Sequence, residues 1–260
     1  MTRAGLAARL LVQSLAFAAL GPVQLAALRC GWRLAGTIPV AFHRLFLRLF
    51  GIRVTERGTR PQPGIPTLVL ANHVSWIDIP VMASLVPVSF IAKKEIAAWP
   101  VFGLFARLQR CIFLDRERRA ATAEVNREVA QRLAEGDAVI LFPEGTTGDG
   151  NRLHPFRSSL VGAARAALGE AGPEGVRLQP LAIAYTRRAG LPVTRRDRPE
   201  IAWYGDMELV PHFTSFIRGG PLDVVVTWGE PIPFGAASDR KRAATAAEAS
   251  VRGAILAARD

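Results

Sequence analysis

Residues 66–78 read PTLVLANHVSWID and join an apolar run to a polar motif. The first six residues form a short apolar run, which is typical of a buried β-strand. A histidine and an aspartate, His73 and Asp78, follow directly after that run. In α/β folds reactive side chains tend to lie on loops beyond the carboxyl ends of the strands, so this motif is a candidate active-site loop.

The chain after residue 60 continues to alternate in this way. Short runs rich in β-branched or aromatic residues cover residues 88–92, 111–115, 138–142, 178–186 and 222–228. Longer stretches with helical spacing lie at residues 76–85, 94–108, 117–134, 156–168 and 238–258. This alternation predicts an α/β fold with a mostly parallel central sheet flanked by helices.

His73 and Asp78 can act as a pair. Histidine is the side chain best suited to move a proton near neutral pH, and a nearby carboxylate fixes its tautomer and stabilises the imidazolium. A regular helix would place the two residues on different faces, so the pair requires a turn or a helix start between them. The alternative is a capped helix start, with Ser75 as the N-cap and Asp78 as a favourable charge in the first turn.

Two further polar residues follow predicted strands. Glu144 lies within FPEGTT (residues 142–147), where a proline and a glycine fix a sharp turn that can present the carboxylate to a ligand. A plain turn is the alternative. Arg116 ends another strand and can hold a phosphate through two parallel hydrogen bonds, or it can belong to a solvated helix start. Lys93 is a basic residue after residues 88–92, for which a solvated surface position is the alternative.

Other classes of site are disfavoured. None of the four histidines has metal-ligand spacing with another histidine or with a cysteine, so the sequence predicts no metal cofactor. Cys30 and Cys111 lie in apolar surroundings, which indicates a reduced, cytosol-facing location without a disulfide framework. Ser75 lies near His73 but lacks the flanking glycines of a hydrolase nucleophile elbow.

Charge and hydropathy single out the N-terminal region. The formal net charge is +11, and residues 1–55 contain seven arginines and no acidic residue. Basic side chains beside apolar runs suit an anionic membrane surface, where each contributes about 1 kcal/mol. Nucleic acid is disfavoured as a partner because these arginines are interleaved with Leu, Phe, Ala and Trp.

Two apolar blocks, residues 10–28 and 30–50, make up this region. The first approaches the length of a bilayer span but contains Gln13, Ser14, Gln24 and a break expected at Gly21-Pro22. An interfacial helical hairpin or one marginal span is favoured, and a cleaved signal peptide is the alternative. We therefore expect a membrane-associated helical segment at residues 1–58 and a catalytic domain at residues 59–260.

Four blocks together resemble the glycerolipid acyltransferase family, typified by bacterial 1-acylglycerol-3-phosphate acyltransferases. They are NHVSWID (72–78), IFLDR (112–116), FPEGT (142–146) and LQPLAIAY (178–185), in the order of the family. The match covers residues 66–186 directly. The segment WYGDM (203–207) resembles a branch that includes lyso-ornithine lipid acyltransferases.

The resemblance implies a role for each site residue. His73 is the general base and Asp78 orients it. Arg116 holds the acceptor phosphate, and Lys93 is a further candidate for a phosphate of the acyl carrier. The acceptor site is lined by Glu144, Gly145 and Thr146. Because a carboxylate repels phosphate, Glu144 is assigned to a glycerol hydroxyl or to a cationic neighbour such as Arg116.

The implied function is transfer of a fatty acyl group from acyl-CoA or acyl-carrier protein to the free hydroxyl of a lysolipid, with no other cofactor. The favoured acceptor is 1-acylglycerol-3-phosphate, which gives phosphatidic acid, and lyso-ornithine lipid is the alternative. A lipid hydrolase and a non-catalytic membrane-binding protein are alternatives of other classes. The implied location is the cytoplasmic face of a bacterial inner membrane.

Overall fold

The computed structural model describes residues 2–114, 127–133, 135, 137–161, 176–235 and 237–259. Within these ranges nine strands form one sheet. In chain order they are β1 (Ile52–Arg57), β2 (Thr67–Ala71), β3 (Val88–Lys93), β4 (Ile112–Leu114), β5 (Ala138–Leu141), β6 (Val176–Arg188), β7 (Leu191–Pro192), β8 (Leu222–Trp228) and β9 (Ile232–Phe234).

The strand order along the sheet is β1-β8-β6-β2-β5-β3-β4. Strands β6, β2, β5, β3 and β4 run parallel to one another. Strand β8 is antiparallel to β6, and β1 is parallel to β8. The short strands β7 and β9 pair antiparallel with β6. The predicted mostly parallel sheet is therefore confirmed.

Helices cover both faces of the sheet. The described α-helices with defined bounds are α1 (Arg3–Cys30), α2 (Leu34–Phe50), α3 (Asp78–Ala83), α4 (Phe102–Leu108), α5 (Arg198–Ile201), α6 (Leu209–Arg218) and α7 (Arg240–Ala257). Residues 127–133 are also helical. Because side chains alternate along a strand, Leu68 packs in the core on one face of β2 with Val251 of α7, and Val69 packs on the other with Val81 of α3. Strand β2 is buried on both faces, so its sequence is almost continuously apolar.

The N-terminal helices α1 and α2 form a hairpin. Gly31 joins them in the left-handed conformation (φ 65°), which glycine adopts without steric cost. The expected break at Gly21-Pro22 is wrong, because α1 continues through Pro22. Its later part is held by the side chain of Gln24, whose Nε2 donates to the carbonyls of Ala35 (2.9 Å) and Leu108 (2.8 Å). These two hydrogen bonds tie the second half of α1 to α2 and to α4.

Some boundaries differ from the predictions. The stretch 94–108 is divided into a 3₁₀-helix (Lys94–Ala98) and α4, because Pro100 and the positive φ of Val101 (64°) interrupt it. Helix α6 and strand β1 were not predicted. Residues 156–161 form no helix, and the remainder of the stretch predicted at 156–168 lies outside the described residues, as does most of 117–134.

Candidate active site

The loop that carries His73 begins at the carboxyl end of β2. The side chain of Asn72 exchanges two hydrogen bonds with the backbone of Ile183 in β6: Nδ2 donates to the carbonyl (3.0 Å), and Oδ1 accepts from the N–H (2.8 Å). The amide thus extends the β2–β6 pairing by one residue beyond Ala71. This contact fixes the position at which the chain leaves the sheet and turns toward His73.

His73 and Asp78 form the predicted pair. Nδ1 of His73 lies 2.8 Å from Oδ2 of Asp78. Asp78 is fully buried at the first residue of α3, and the same Oδ2 accepts the backbone N–H groups of Val74 (2.7 Å) and Ser75 (2.9 Å). The turn between the two residues therefore provides the geometry that a regular helix would prevent. The N-cap of α3 is Ile77 and not Ser75, whereas Asp78 does lie in the first turn of α3, as the alternative expected.

Tyr185, near the carboxyl end of β6, supports Asp78 from the opposite side. Its hydroxyl donates to Oδ1 of Asp78. Burial, together with the adjacent Asp78 charge, raises the pKa of Tyr185 well above its ordinary value, so the hydroxyl remains a protonated donor. Both carboxylate oxygens of Asp78 therefore accept hydrogen bonds, which compensates for burying the charge. Sequence reasoning missed this role, although Tyr185 ends the quoted block 178–185.

The geometry determines which nitrogen of His73 is available for chemistry. A carboxylate only accepts hydrogen bonds, so Nδ1 carries the proton and Nε2 carries the lone pair. The ring stacks on Phe142, with centroids 3.8 Å apart and planes inclined by 14°, which restrains its rotation. The side chain keeps 20% of its surface exposed, so it is accessible to a ligand. The arrangement suits a general base.

Glu144, at the carboxyl end of β5, holds the backbone of this site. Oε1 accepts the N–H of His73 (2.7 Å), and Oε2 accepts the N–H of His154 (2.8 Å). Burial raises the pKa of Glu144 to about 7, although both backbone hydrogen bonds favour the ionised form. Both described hydrogen bonds of this carboxylate are thus to main-chain amides, and Arg116, the cationic neighbour that the sequence suggested, lies outside the described residues.

A cavity of about 240 Å³ opens beside His73. Its wall includes Glu144 and Tyr185 from the site, the loop at residues 150–153, and the C-terminal turns of α7. Arginines are prominent among the described lining residues: Arg152, Arg198, Arg252 and Arg259. His73 and a cationic wall therefore share one cavity.

A model of the Acyltransferase family matches residues 51–184 of the chain. A lyso-ornithine lipid O-acyltransferase of Brucella abortus (strain 2308) is 48% identical over 89% of this chain and 85% of its own length. The chain belongs to the acyltransferase family. A 1-acyl-sn-glycerol-3-phosphate acyltransferase of Neisseria gonorrhoeae is 38% identical over 56% of this chain and 54% of its own length.

The fold of this acyltransferase is also found in a solved structure. The crystal structure of the 1-acyl-sn-glycerophosphate acyltransferase from Thermotoga maritima matches with a TM-score of 0.60 and 22% identity, covering 84% of this chain and 77% of that one. The α/β fold and the prediction that the chain is an acyltransferase are confirmed.

The remaining predicted site residues of the acyltransferase are placed as follows. Gly145 lies in the left-handed conformation (φ 75°) in the turn after β5, and Thr146 is exposed in the same turn. The lining of the cavity does not include either of them within the described part of the chain. Lys93 is the last residue of β3, and its side chain lies outside the described part. Arg116 also lies outside the described residues.

Two further observations on the acyltransferase concern Ser75 and metal ligands. Ser75 has no exposed surface, so its hydroxyl cannot reach a substrate as a hydrolase nucleophile would. Among the residues that the structure describes, no group of three or more His, Cys, Asp or Glu side chains could hold a metal ion.

Proposed function

We propose that the acyltransferase acylates the free hydroxyl of a lysolipid, and that the acceptor is lyso-ornithine lipid. The extent of the matches supports this choice of acceptor. The relative that bears this name matches 89% of the chain, whereas the relative named for 1-acylglycerol-3-phosphate matches 56%. The sequence alone favoured 1-acylglycerol-3-phosphate and kept lyso-ornithine lipid as the alternative.

The observation that carries the proposed chemistry is the contact of His73 Nδ1 with the buried Asp78 carboxylate. Nε2 of His73 takes the proton from the acceptor hydroxyl as its oxygen attacks the carbonyl carbon of an acyl thioester. The new C–O bond forms and the C–S bond breaks. The imidazolium, stabilised by Asp78, then returns the proton to the departing thiolate. The products are an ester and a free thiol, and no acyl-enzyme is needed.

The donor in this proposal is acyl-CoA or acyl-carrier protein. Both carry the acyl group as a thioester, and in both the arm that ends in the thiol is attached through a phosphate. Lys93 remains the proposed contact for a phosphate of the donor, whereas the resemblance assigns Arg116 to the phosphate of a 1-acylglycerol-3-phosphate acceptor.

We place the enzyme at the cytoplasmic face of the inner membrane, with α1 and α2 lying in the interface. Helix α1 is long and apolar enough to cross a bilayer by length and composition. However, Gln24 in its second half donates to the carbonyl of Leu108 in α4, which ties the helix to the catalytic domain. A spanning α1 would carry part of that domain into the hydrocarbon. An interfacial hairpin avoids this cost.

The test uses full-length protein in lipid nanodiscs with lyso-ornithine lipid or 1-acylglycerol-3-phosphate as acceptor. Acyl-CoA and acyl-carrier protein are offered separately as donors. We expect ester formation with lyso-ornithine lipid that is lost in His73→Ala and kept in Ser75→Ala. Acylation of 1-acylglycerol-3-phosphate alone would refute the acceptor, and fatty acid release dependent on Ser75 would instead support a hydrolase.

A further inference from the structure

Two arginines of the cavity converge on one neutral atom. Nη1 of Arg198 and Nη2 of Arg259 donate to the same carbonyl oxygen of Gly150, at 2.6 and 2.8 Å. Arg198 comes from α5, and Arg259 lies just after α7, so distant parts of the chain bring the two cations together. Like charges this close together repel each other, and a nearby anion would offset that repulsion.

The positive charge at this point is poorly compensated. Nε of Arg198 is buried without a hydrogen-bond partner in the described part of the chain. Burial, and then the charge of Arg259, lower the pKa of Arg198, while Asp149 acts in the opposite direction. The carboxylate of Asp149 accepts hydrogen bonds from the backbone N–H and the side chain of Asn151, at 2.8 and 2.9 Å. The Arg198–Arg259 pair therefore retains donors and charge that an anion could satisfy.

We infer that Arg198 and Arg259 bind the anionic group of the acceptor head group while His73 accepts the proton of its hydroxyl. This inference rests on the proposed function, because it assigns residues to the acceptor of that reaction. A guanidinium fork matches a carboxylate or a phosphate through paired hydrogen bonds. Ornithine supplies the first of these anions, and 1-acylglycerol-3-phosphate supplies the second.

The size of the cavity agrees with this assignment. Its volume of about 240 Å³ falls below the roughly 300–1,000 Å³ of pockets that enclose whole ligands. It can therefore hold a head group while the acyl chain remains outside. The cavity arginines differ in their contacts: Arg252 pairs with Glu248 at 2.8 Å, whereas Arg198 and Arg259 share the carbonyl oxygen of Gly150. Arg198 and Arg259 are consequently the residues to test.

The experiment compares lyso-ornithine lipid with its carboxyl methyl ester, using full-length wild-type enzyme in nanodiscs. The ester removes the negative charge and keeps the reacting hydroxyl. We expect the KM for the ester to exceed the KM for the acid by at least tenfold. Because this comparison uses only the wild-type enzyme, it tests the inference even if a substitution impairs folding.

Substitutions then test whether Arg198 and Arg259 cause the difference in KM between the acid and the ester. We expect Arg198→Gln and Arg259→Gln to raise the KM for lyso-ornithine lipid at least tenfold, with less than threefold change in kcat and in the KM of the acyl donor. Each glutamine variant should also have a smaller ratio of the KM for the ester to the KM for the acid than the wild type has. Arg198→Lys should retain part of the wild-type ratio. The matched control is Arg240→Gln, an exposed arginine of α7 that does not line the cavity. It should behave as wild type.

The outcomes separate this inference from the proposed function. Wild-type KM values and wild-type ester discrimination in both glutamine variants would overturn the role of these arginines, even if His73→Ala abolishes acyl transfer. If 1-acylglycerol-3-phosphate is the acceptor and its KM rises in the variants, the anion site is supported and the ornithine acceptor is refuted. Equal use of acid and ester by the wild type would overturn the anion site.

Discussion

Replacing Tyr185 by phenylalanine removes one hydroxyl from the support of Asp78. The side chain is 5% exposed, and its ring packs in the apolar core, where phenylalanine fills nearly the same space. The change deletes the hydrogen bond to Oδ1 of Asp78, while Oδ2 keeps its contacts with His73 Nδ1 and two backbone N–H groups. The substitution therefore tests whether Tyr185 positions the carboxylate.

The expected magnitude follows from burial. A hydrogen bond to a charged group contributes about 1.5–3 kcal/mol, and Asp78 has no exposed surface through which water could replace the lost donor. For a domain of this size that loss lowers Tm by roughly 3–12 °C. The bond is present before and during the reaction, so only part of its energy affects the rate. We expect kcat to fall about tenfold, equivalent to about 1.4 kcal/mol, with the KM values unchanged.

The assay is a double-mutant cycle with Asp78→Asn, read by thermal unfolding in detergent and by steady-state kinetics. Asparagine retains an acceptor for the backbone N–H groups but removes the charge, so kcat should fall at least a hundredfold. In that background the added Tyr185→Phe change should cost less than threefold, because the charge that the hydroxyl supports is absent. Wild-type kcat and Tm in Tyr185→Phe, or the same loss of kcat in both backgrounds, would refute the reasoning.

Three further outcomes are expected. His73→Ala should lower kcat by about 10²–10⁴-fold without releasing the protein from membranes, because it removes the base alone; wild-type turnover would contradict this role. Ser75→Ala should keep turnover within threefold, since the residue is fully buried, and a complete loss would speak for a hydrolase. Because burial raises the pKa of Glu144 from 4.5 to about 7, its contribution to stability is complete below pH 4.5 and is lost as the pH rises through 7, by at most about 3 kcal/mol. Glu144→Gln should reduce the change in Tm between pH 5 and 8. If Tm of the variant changes with pH as much as Tm of the wild type, Glu144 is not the source of that change.

The separation of residues along the chain decides how much of the site the sequence could predict. His73 and Asp78 lie close in sequence, so one local motif specifies both the pair and the turn that it needs. Tyr185 is 107 residues from Asp78, and their contact depends on the parallel register of β2 with β6. Strand patterns predict that these segments are strands but not which residues lie opposite each other. The role of Tyr185 therefore required the structure.

The same reasoning applies to Glu144 and to the cationic cavity. The position of Glu144 after a strand predicted that it lies at the same sheet edge as His73. It did not predict that the Glu144 carboxylate accepts hydrogen bonds from backbone N–H groups. Arg198 and Arg259 belong to no motif, and they converge because α5 and the C-terminal end of α7 meet at Gly150. Arginines are common on this basic chain, so composition alone could not distinguish these two.

Exposed apolar side chains lie at the same edge of the sheet as the His73–Asp78 pair. Trp99, Val101 and Phe102 follow the carboxyl end of β3 and are 40–60% exposed. Because β3 runs parallel to β5 and β2, this end of the sheet is also where His73 lies. Such a patch beside the α1–α2 hairpin suits contact with a bilayer. An acceptor could then keep its acyl chain among lipids while its charged head group enters the arginine-lined cavity, so the membrane-facing surface and the anion site would act on opposite ends of one substrate.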